Sequence, residues 1–271
     1  MKKIAVLMTC HNRKDKTIKC LDYLFKQRLP SGISIEVYLV DDGSTDGTSK
    51  AVEEFYPQVV IIEGSGELFW NRGMCLAWEV ARKKEKYDGY LWLNDDTMLE
   101  GNALDIIKKC SMENHSAIVV GSISSTANPH VVTYGGYRNN KIITPGDKFI
   151  ECDTFNGNCV YIPREVSDKI GYLDPYYRHS MGDFDYSWRA VKNGIKCLVT
   201  PIIGTCDRNP PEPCWNKGNI VQRFKKLYSP LGNNPFETFH CYKKQSYLKA
   251  AFYFVYIHIR VLSSFVFPKK K

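Results

Sequence analysis

Five short apolar runs rich in β-branched residues recur across the first 123 residues: Ile4–Met8, Ile35–Val40, Val59–Ile62, Tyr90–Leu93 and Ala117–Val120. Between most of them the apolar residues fall at helical spacing, as in Ile18, Leu21, Leu24 and Phe25, or Leu76, Ala77, Val80 and Ala81. Strands alternating with helices read as βαβ units, and so predict an α/β protein with a mostly parallel central sheet covered by helices on both faces. Ligands of such sheets bind beyond the carboxyl ends of the strands. The residues that follow each run are therefore the candidates for chemistry.

Beyond residue 123 the rhythm changes. Gly, Asn, Thr and Tyr dominate 124–160, as in Tyr134-Gly135-Gly136-Tyr137, and predict irregular hairpins. A strand-like Cys159–Ile162 follows, then a short helix from Arg164 and a loop from Gly171 to Gly182. A helix from about Asp183 to Asn193 is stopped by Gly194, and Ile195–Val199 reads as a further strand. The prolines between Asn209 and Pro213 break regular structure. With 44% hydrophobic residues the chain can fill a sizeable core, which excludes global disorder. Ten cysteines with no C-x-x-C spacing, mostly in apolar runs, read as reduced, buried thiols. The apolar run after Met1-Lys2-Lys3 is too short for a signal-peptide core, so a cytoplasmic protein is expected.

Two strand tips carry paired acids. The second run ends in Asp41-Asp42-Gly43-Ser44-Thr45-Asp46-Gly47-Thr48, and the fourth in Asn94-Asp95-Asp96. A helix cap from Ser44, Thr45 or Asp46 accounts for the turn but does not need both Asp41 and Asp42. Adjacent carboxylates repel unless hydrogen bonds or a cation offset them. Acids at a strand's carboxyl end suit a hard divalent cation, Mn²⁺ or Mg²⁺, shared with substrate phosphates.

These segments, in order, resemble a family-two glycosyltransferase of the GT-A nucleotide-diphospho-sugar transferase fold. The likeness rests on Thr9-Cys10-His11-Asn12-Arg13, the Asp41–Thr48 segment, Asn94-Asp95-Asp96, and Gly182-Asp183-Phe184-Asp185-Tyr186-Ser187-Trp188-Arg189, and covers roughly residues 3–205. Phe69-Trp70-Asn71-Arg72-Gly73-Met74 and Phe155-Asn156-Gly157-Asn158-Cys159 are similar to the rhamnosyltransferase-like branch. The resemblance implies an inverting transfer from a UDP- or dTDP-sugar to a glycan hydroxyl, with a divalent cation. It places Thr9, His11 and Asn12 beside the nucleotide, and Asp42 as acceptor for a base N–H. Asn71, Arg72 and Gly73 stand close to nucleotide and diphosphate, with Asp95 near the ribose and Asp96 the more direct metal ligand. Asp183 matches the catalytic base. Trp70, Asn158, His179 and Asp185 are acceptor-side candidates, with Asp185 also placed to pair with Arg189.

Two positions depart from the family pattern. Gly182 stands where a Glu usually precedes the base, and Cys206 or Asp207 stands where many relatives carry a late metal-binding His. A nucleotidyltransferase of the same broad fold would show a glycine-rich basic loop after the first strand, which this chain lacks. A nucleic-acid-binding protein would leave the acidic pairs unexplained.

The chain's net charge of +8 is unevenly spread. Residues 217–271 hold eleven Lys or Arg and one acid, Glu237, a net +10, so residues 1–216 carry −2. The sequence therefore divides into a GT-A domain (1–216, with a nucleotide-binding half to about 123 and an acceptor-side half after it) and a basic, aromatic extension (217–271). The extension's apolar run is interrupted by Arg260, which disfavours a membrane span. An interfacial helix at the inner face of the plasma membrane fits better, serving a lipid-linked acceptor in surface-polysaccharide assembly of the O-antigen or capsule type. Packing on the domain, or on a second subunit as a homodimer, is the other reading.

Overall fold

The computed structural model describes residues 2–207 and 214–266. The Asn209–Pro213 breaker and Lys269, Lys270 and Lys271 of the basic tail lie outside those residues. The alternation read from the sequence is realised as β1 (Lys2–Cys10), α1 (Lys14–Phe25), β2 (Ile33–Asp41), α2 (Thr48–Phe55), β3 (Val60–Glu63), α3 (Phe69–Lys84), β4 (Gly89–Leu93), the two-residue β5 (Met98–Leu99) and α4 (Ala103–Glu113). Then come β6 (Ile118–Ser124) and the short strands β7 (Val132–Tyr134), β8 (Gly136–Arg138), β9 (Lys141–Ile142), β10 (Ile150–Glu151) and β11 (Thr154–Phe155). The domain is completed by β12 (Cys159–Pro163), α5 (Arg164–Ile170), α6 (Gly182–Lys192) and β13 (Cys197–Thr205).

The main sheet runs β10-β13-β6-β12-β4-β1-β2-β3, with β5 and β7 paired to β13 and β6. β3, β2, β1 and β4 are mutually parallel, as are β6 and β13. β12 is inserted antiparallel between β4 and β6. Chain order reverses at β1, which has β2 on one side and β4 on the other. That topological switch opens a crevice at the carboxyl ends of β1 and β4.

Along β1 the period-two pattern divides the core. Val6 and Met8 join Leu21, Leu24, Leu104 and Ile107 from α1 and α4 on one face. Ala5 and Leu7 join Met74, Ala77, Trp78, Tyr186 and Ala190 from α3 and α6 on the other. Trp92 is fully buried there, its ring edge-on to Trp78, the core role its strand position suggests. The nine cysteines whose side chains are described are free thiols, and all but the half-buried Cys75 are buried.

The extension folds back onto the domain as α7 (Ile220–Leu227), a turn at Pro230–Gly232, α8 (Pro235–Lys243) and the long α9 (Tyr247–Val266). Glu237 meets Arg178 at 2.7 Å, and Lys244 sits 2.8 Å from both Asp174 and Asp185. Tyr242 packs on Trp188 of α6. No described helix is long and apolar enough to cross a membrane.

Candidate active site

A cleft of about 780 Å³ opens at the switch point, walled by the loops after β1, β2 and β4, the start of α3, the loop before β12 and the start of α6. Thr9, His11, Asp42, Trp70, Asp95, Asp96, Asn158, His179 and Asp183 all line it. A smaller, mostly apolar cavity of about 390 Å³ lies under Ile4, Ile33, Leu104 and Tyr161 and carries no carboxylate.

The acids after β2 are held by hydrogen bonds. Asp41 accepts from Ser44 N at 2.9 Å and from the Ser49 hydroxyl, which fastens the turn into α2. The N-cap of that helix is Gly47, in a left-handed conformation, rather than Ser44, Thr45 or Asp46; Asp46, one residue earlier, accepts from Thr48 N at 3.1 Å. Asp42 points the other way and accepts from the backbone N–H groups of Gly66, Leu68 and Phe69 at 2.8–2.9 Å. A carboxylate offers about four lone-pair sites. Asp42 has therefore given most of its capacity to the loop before α3, with about one lone-pair site left open toward the cleft. It also holds Phe69 in a left-handed backbone (φ 58°) at the cleft wall, a conformation costly for a non-glycine residue.

After β4, Asp95 is buried and Asp96 reaches the cleft. Arg13 bridges them, with Nη1 3.1 Å from Asp95 Oδ1 and Nη2 on Asp96 Oδ2. Burial pushes Asp95 up to about 7 against the pull of Arg13. Asp207 is spent on Ser125 and on Thr126 N at 2.9 Å. Burial and the nearby Asp96 charge push the Cys206 thiol up to about 12, so it remains protonated. Among the described residues no three His, Cys, Asp or Glu side chains converge on a metal position. The donor set still fits a hard cation of the kind that takes one or two carboxylates and completes its shell with substrate phosphates and water.

Asp183 lies in the first turn of α6, where the helix dipole favours a carboxylate. Its Oδ2 accepts from Gly157 N at 3.0 Å and its Oδ1 from Phe184 N at 2.9 Å. Burial nevertheless raises it to about 6. Trp70 forms the adjoining wall. Its Nε1 donates to Asn94 Oδ1 at 2.7 Å, and its ring lies so close over Gly157 that a Cβ there would sit 2.5 Å from it. His179 also borders the cleft, and burial lowers its pKa, which keeps the imidazole neutral. Met181, just before α6, and Asn233 are further left-handed non-glycine wall residues (φ 75° and 59°).

Five expected site residues stand elsewhere. Asn12 ties two loops together, accepting from Thr45 N at 2.7 Å. Asn71 is fully buried, and its Nδ2 donates to Asp174 O and Tyr177 O at 2.9 and 2.8 Å. Arg72 Nε donates to Pro175 O. Gly73 lets α3 approach β1, since a Cβ would lie 2.4 Å from Thr9 Oγ1. Asp185 is 2% exposed and is clamped by Arg189 Nε at 3.0 Å, Lys244 Nζ at 2.8 Å and Tyr177 OH at 3.2 Å. These residues build the walls rather than face the cleft, because α3 begins at Phe69 and its successive residues point around the helix axis. The departure at Gly182 has the same origin. A Cβ there would fall 1.8 Å from Asn71 Oδ1, so the buried Asn71 excludes any side chain before Asp183.

Several lining residues had no assigned role in the sequence reading. Arg13 stood inside a recognised segment, as did Asn156. Leu231 and Asn233 come from the turn after α7, and no local pattern marks them as reaching the cleft.

The family profile described as Glycosyl transferase family 2 matches residues 5–171. Among solved structures, Staphylococcus aureus TarS 1–349 superposes with a TM-score of 0.56 at 17% identity, covering 76% of this chain and 60% of that one. A longer TarS chain gives 0.59 at 16%, covering 84% and 40%. The chain thus spans less than two thirds of either TarS chain. The Pyrobaculum calidifontis mannosyltransferase PcManGT, in complex with GDP-Man and Mn²⁺, gives 0.55 at 16%, covering 98% and 88%. These likenesses establish a GT-A fold. No curated protein sequence matches the chain.

Proposed function

Because the chain belongs to glycosyl transferase family 2, we propose that this glycosyltransferase is an inverting enzyme of the rhamnosyltransferase-like branch. It moves a hexosyl or rhamnosyl group from a UDP- or dTDP-sugar to a hydroxyl of a lipid-linked glycan in bacterial surface-polysaccharide assembly, at the inner face of the plasma membrane. A TarS structure with UDP-GlcNAc and the PcManGT structure with GDP-Man support a nucleotide-sugar donor.

The observation that carries the mechanism is Asp183, a cleft carboxylate held by two backbone N–H groups and raised by burial to about 6. A base of that strength is ionised at neutral pH yet basic enough to take a hydroxyl proton as the new bond forms. Asp185, the other acid on α6, is bound by two cations and cannot substitute. With a single base opposite the leaving diphosphate, attack comes from one face and inverts the anomeric carbon, by the geometric logic of inverting glycosidases. Asp96, backed by Asp95, would hold a divalent cation. When bound, that ion supplies Lewis-acid stabilisation of the departing diphosphate. Arg13 neutralises the acid pair and lies at the same wall. Trp70 offers a flat apolar surface beside Asp183, and Asn158 and neutral His179 offer hydrogen bonds to sugar hydroxyls.

A thermal-shift screen of UDP-, dTDP- and GDP-sugars with Mn²⁺ tests the reading, because a ligand that binds the native state raises its apparent stability. A UDP- or dTDP-sugar should raise Tm. If no nucleotide sugar does so, the reading fails. A shift by GDP-sugars alone would overturn the donor assignment.

A further inference from the structure

Ten of the seventeen large apolar side chains exposed among the described residues belong to the extension, and seven of these lie on α9. Leu248, Phe252, Val255, Tyr256, Ile259 and Leu262 are 44–85% exposed. At 3.6 residues per turn they fall within an arc of about 120°. Ala250 and Val261, which are fully buried, lie on the opposite side of the helix. The helix therefore has two apolar faces: one packs on the protein and, among the described residues, the other is exposed.

We propose that the outer face of α9 is a membrane-docking surface, and that its partner is a lipid bilayer bearing anionic head groups. The charge around the face selects that partner. α9 contains no acid, and Lys249 and Arg260 lie along one flank of the stripe. The only acid of the whole extension, Glu237, is buried and paired with Arg178, so the described extension presents no free carboxylate. A second copy of the chain is a poor occupant, since pairing two such faces would bring two extensions of net +10 together. The helix lies in the interface rather than across it: Arg260 interrupts the run, and no described helix qualifies as a span. Lys244, bound to Asp174 and Asp185, fixes the α8–α9 unit against α6, so docking would hold the cleft at a set position relative to the lipid surface.

The surface deepens the lipid-linked acceptor of the proposed function and rests on that reading for its purpose, but its test is independent of the chemistry. The full chain should sediment with vesicles of phosphatidylcholine containing about 30 mol % phosphatidylglycerol, at least about tenfold more tightly than with phosphatidylcholine alone. Phe252→Glu with Ile259→Glu should weaken that binding at least about tenfold while Tm is unchanged, because both side chains are exposed. Equal binding to both vesicles, or full binding by the double variant, overturns the proposal. So does a dimer in sedimentation velocity that the double variant dissolves, with the parent left in the vesicle supernatant. Donor thermal shifts on the same samples separate the two readings: vesicle binding without any donor shift condemns the glycosyltransferase chemistry alone, and the reverse condemns this surface alone.

Discussion

Residues 1–216 and 217–271 solve opposite electrostatic problems. The first, net −2, gathers acids at strand tips and offsets them internally: Asp41 and Asp42 with hydrogen-bond donors, Asp95 and Asp96 with Arg13. The second, net +10, spends its single acid on the domain and leaves bases and apolar rings outward. The chain's overall basic balance therefore says nothing about the nucleotide site. It belongs to the part of the molecule that, among the described residues, touches the cleft only through Leu231 and Asn233. The two parts meet at one buried seam, where Lys244 and Arg178 cross from base to acid.

Five substitutions would break or sharpen that contrast. The largest effect on turnover is expected from Asp96→Ala, which should cost about 10²–10³-fold while the fold survives, since removal of one charge-stabilising group typically costs that much. Steady-state donor turnover measures it, and near-parental rates would remove the acid pair from the chemistry. Gly182→Ala should destabilise by about 3 kcal/mol in urea titration, because the new Cβ collides with Asn71 and breaks its bonds to Asp174 and Tyr177. Lys244→Met should cost about 1–2 kcal/mol, since it leaves Asp185 with Arg189 and Tyr177 only. Lys225→Met, at an exposed position of α7, should stay within about 0.5 kcal/mol. Equal costs for the two lysines would mean that the seam is no more demanding than the surface. Asp207→Ala should change metal dependence least of all, because that carboxylate is turned to Ser125 and Thr126.

pH gives a separate handle on the acidic half. Asp183 at about 6 and Asp95 at about 7 both sit above their ordinary values because burial disfavours their charge. The folded state then binds these protons more tightly than the unfolded chain. The stability they contribute is complete below the unfolded pKa, near 4, and is lost as pH rises through 6 to 7. Turnover runs the other way and should fall about tenfold per unit below pH 6 as the base is protonated. Opposed slopes of stability and rate over pH 5–7 are the expected signature.

Much of this was legible in the sequence. Period-two runs separated by helical spacing specify βαβ units, and strand tips in such sheets point at ligands, so the acid pairs could be found before any coordinates, whereas Asp183, at a helix start, came only through the family resemblance. The antiparallel direction of β12 could not, because a buried run reads alike in both senses. Asn71, Arg72 and Gly73 were placed by the resemblance of the Phe69–Met74 segment. On a helix, however, neighbours diverge by about 100°, and of that segment Phe69 and Trp70 line the cleft. The docking of the extension depends on ion pairs such as Lys244–Asp185, 59 residues apart, and no local pattern encodes them.

The central claim is that Asp183 is the base and that its neighbours serve to hold it. The most direct test is Asp183→Asn, assayed for donor binding by thermal shift and for glycosyl transfer on the same preparation. The account predicts unchanged donor binding, a Tm within about 3 °C of the parent or higher at pH 8, and transfer reduced by about 10²–10⁴-fold. Transfer near the parental rate would contradict it.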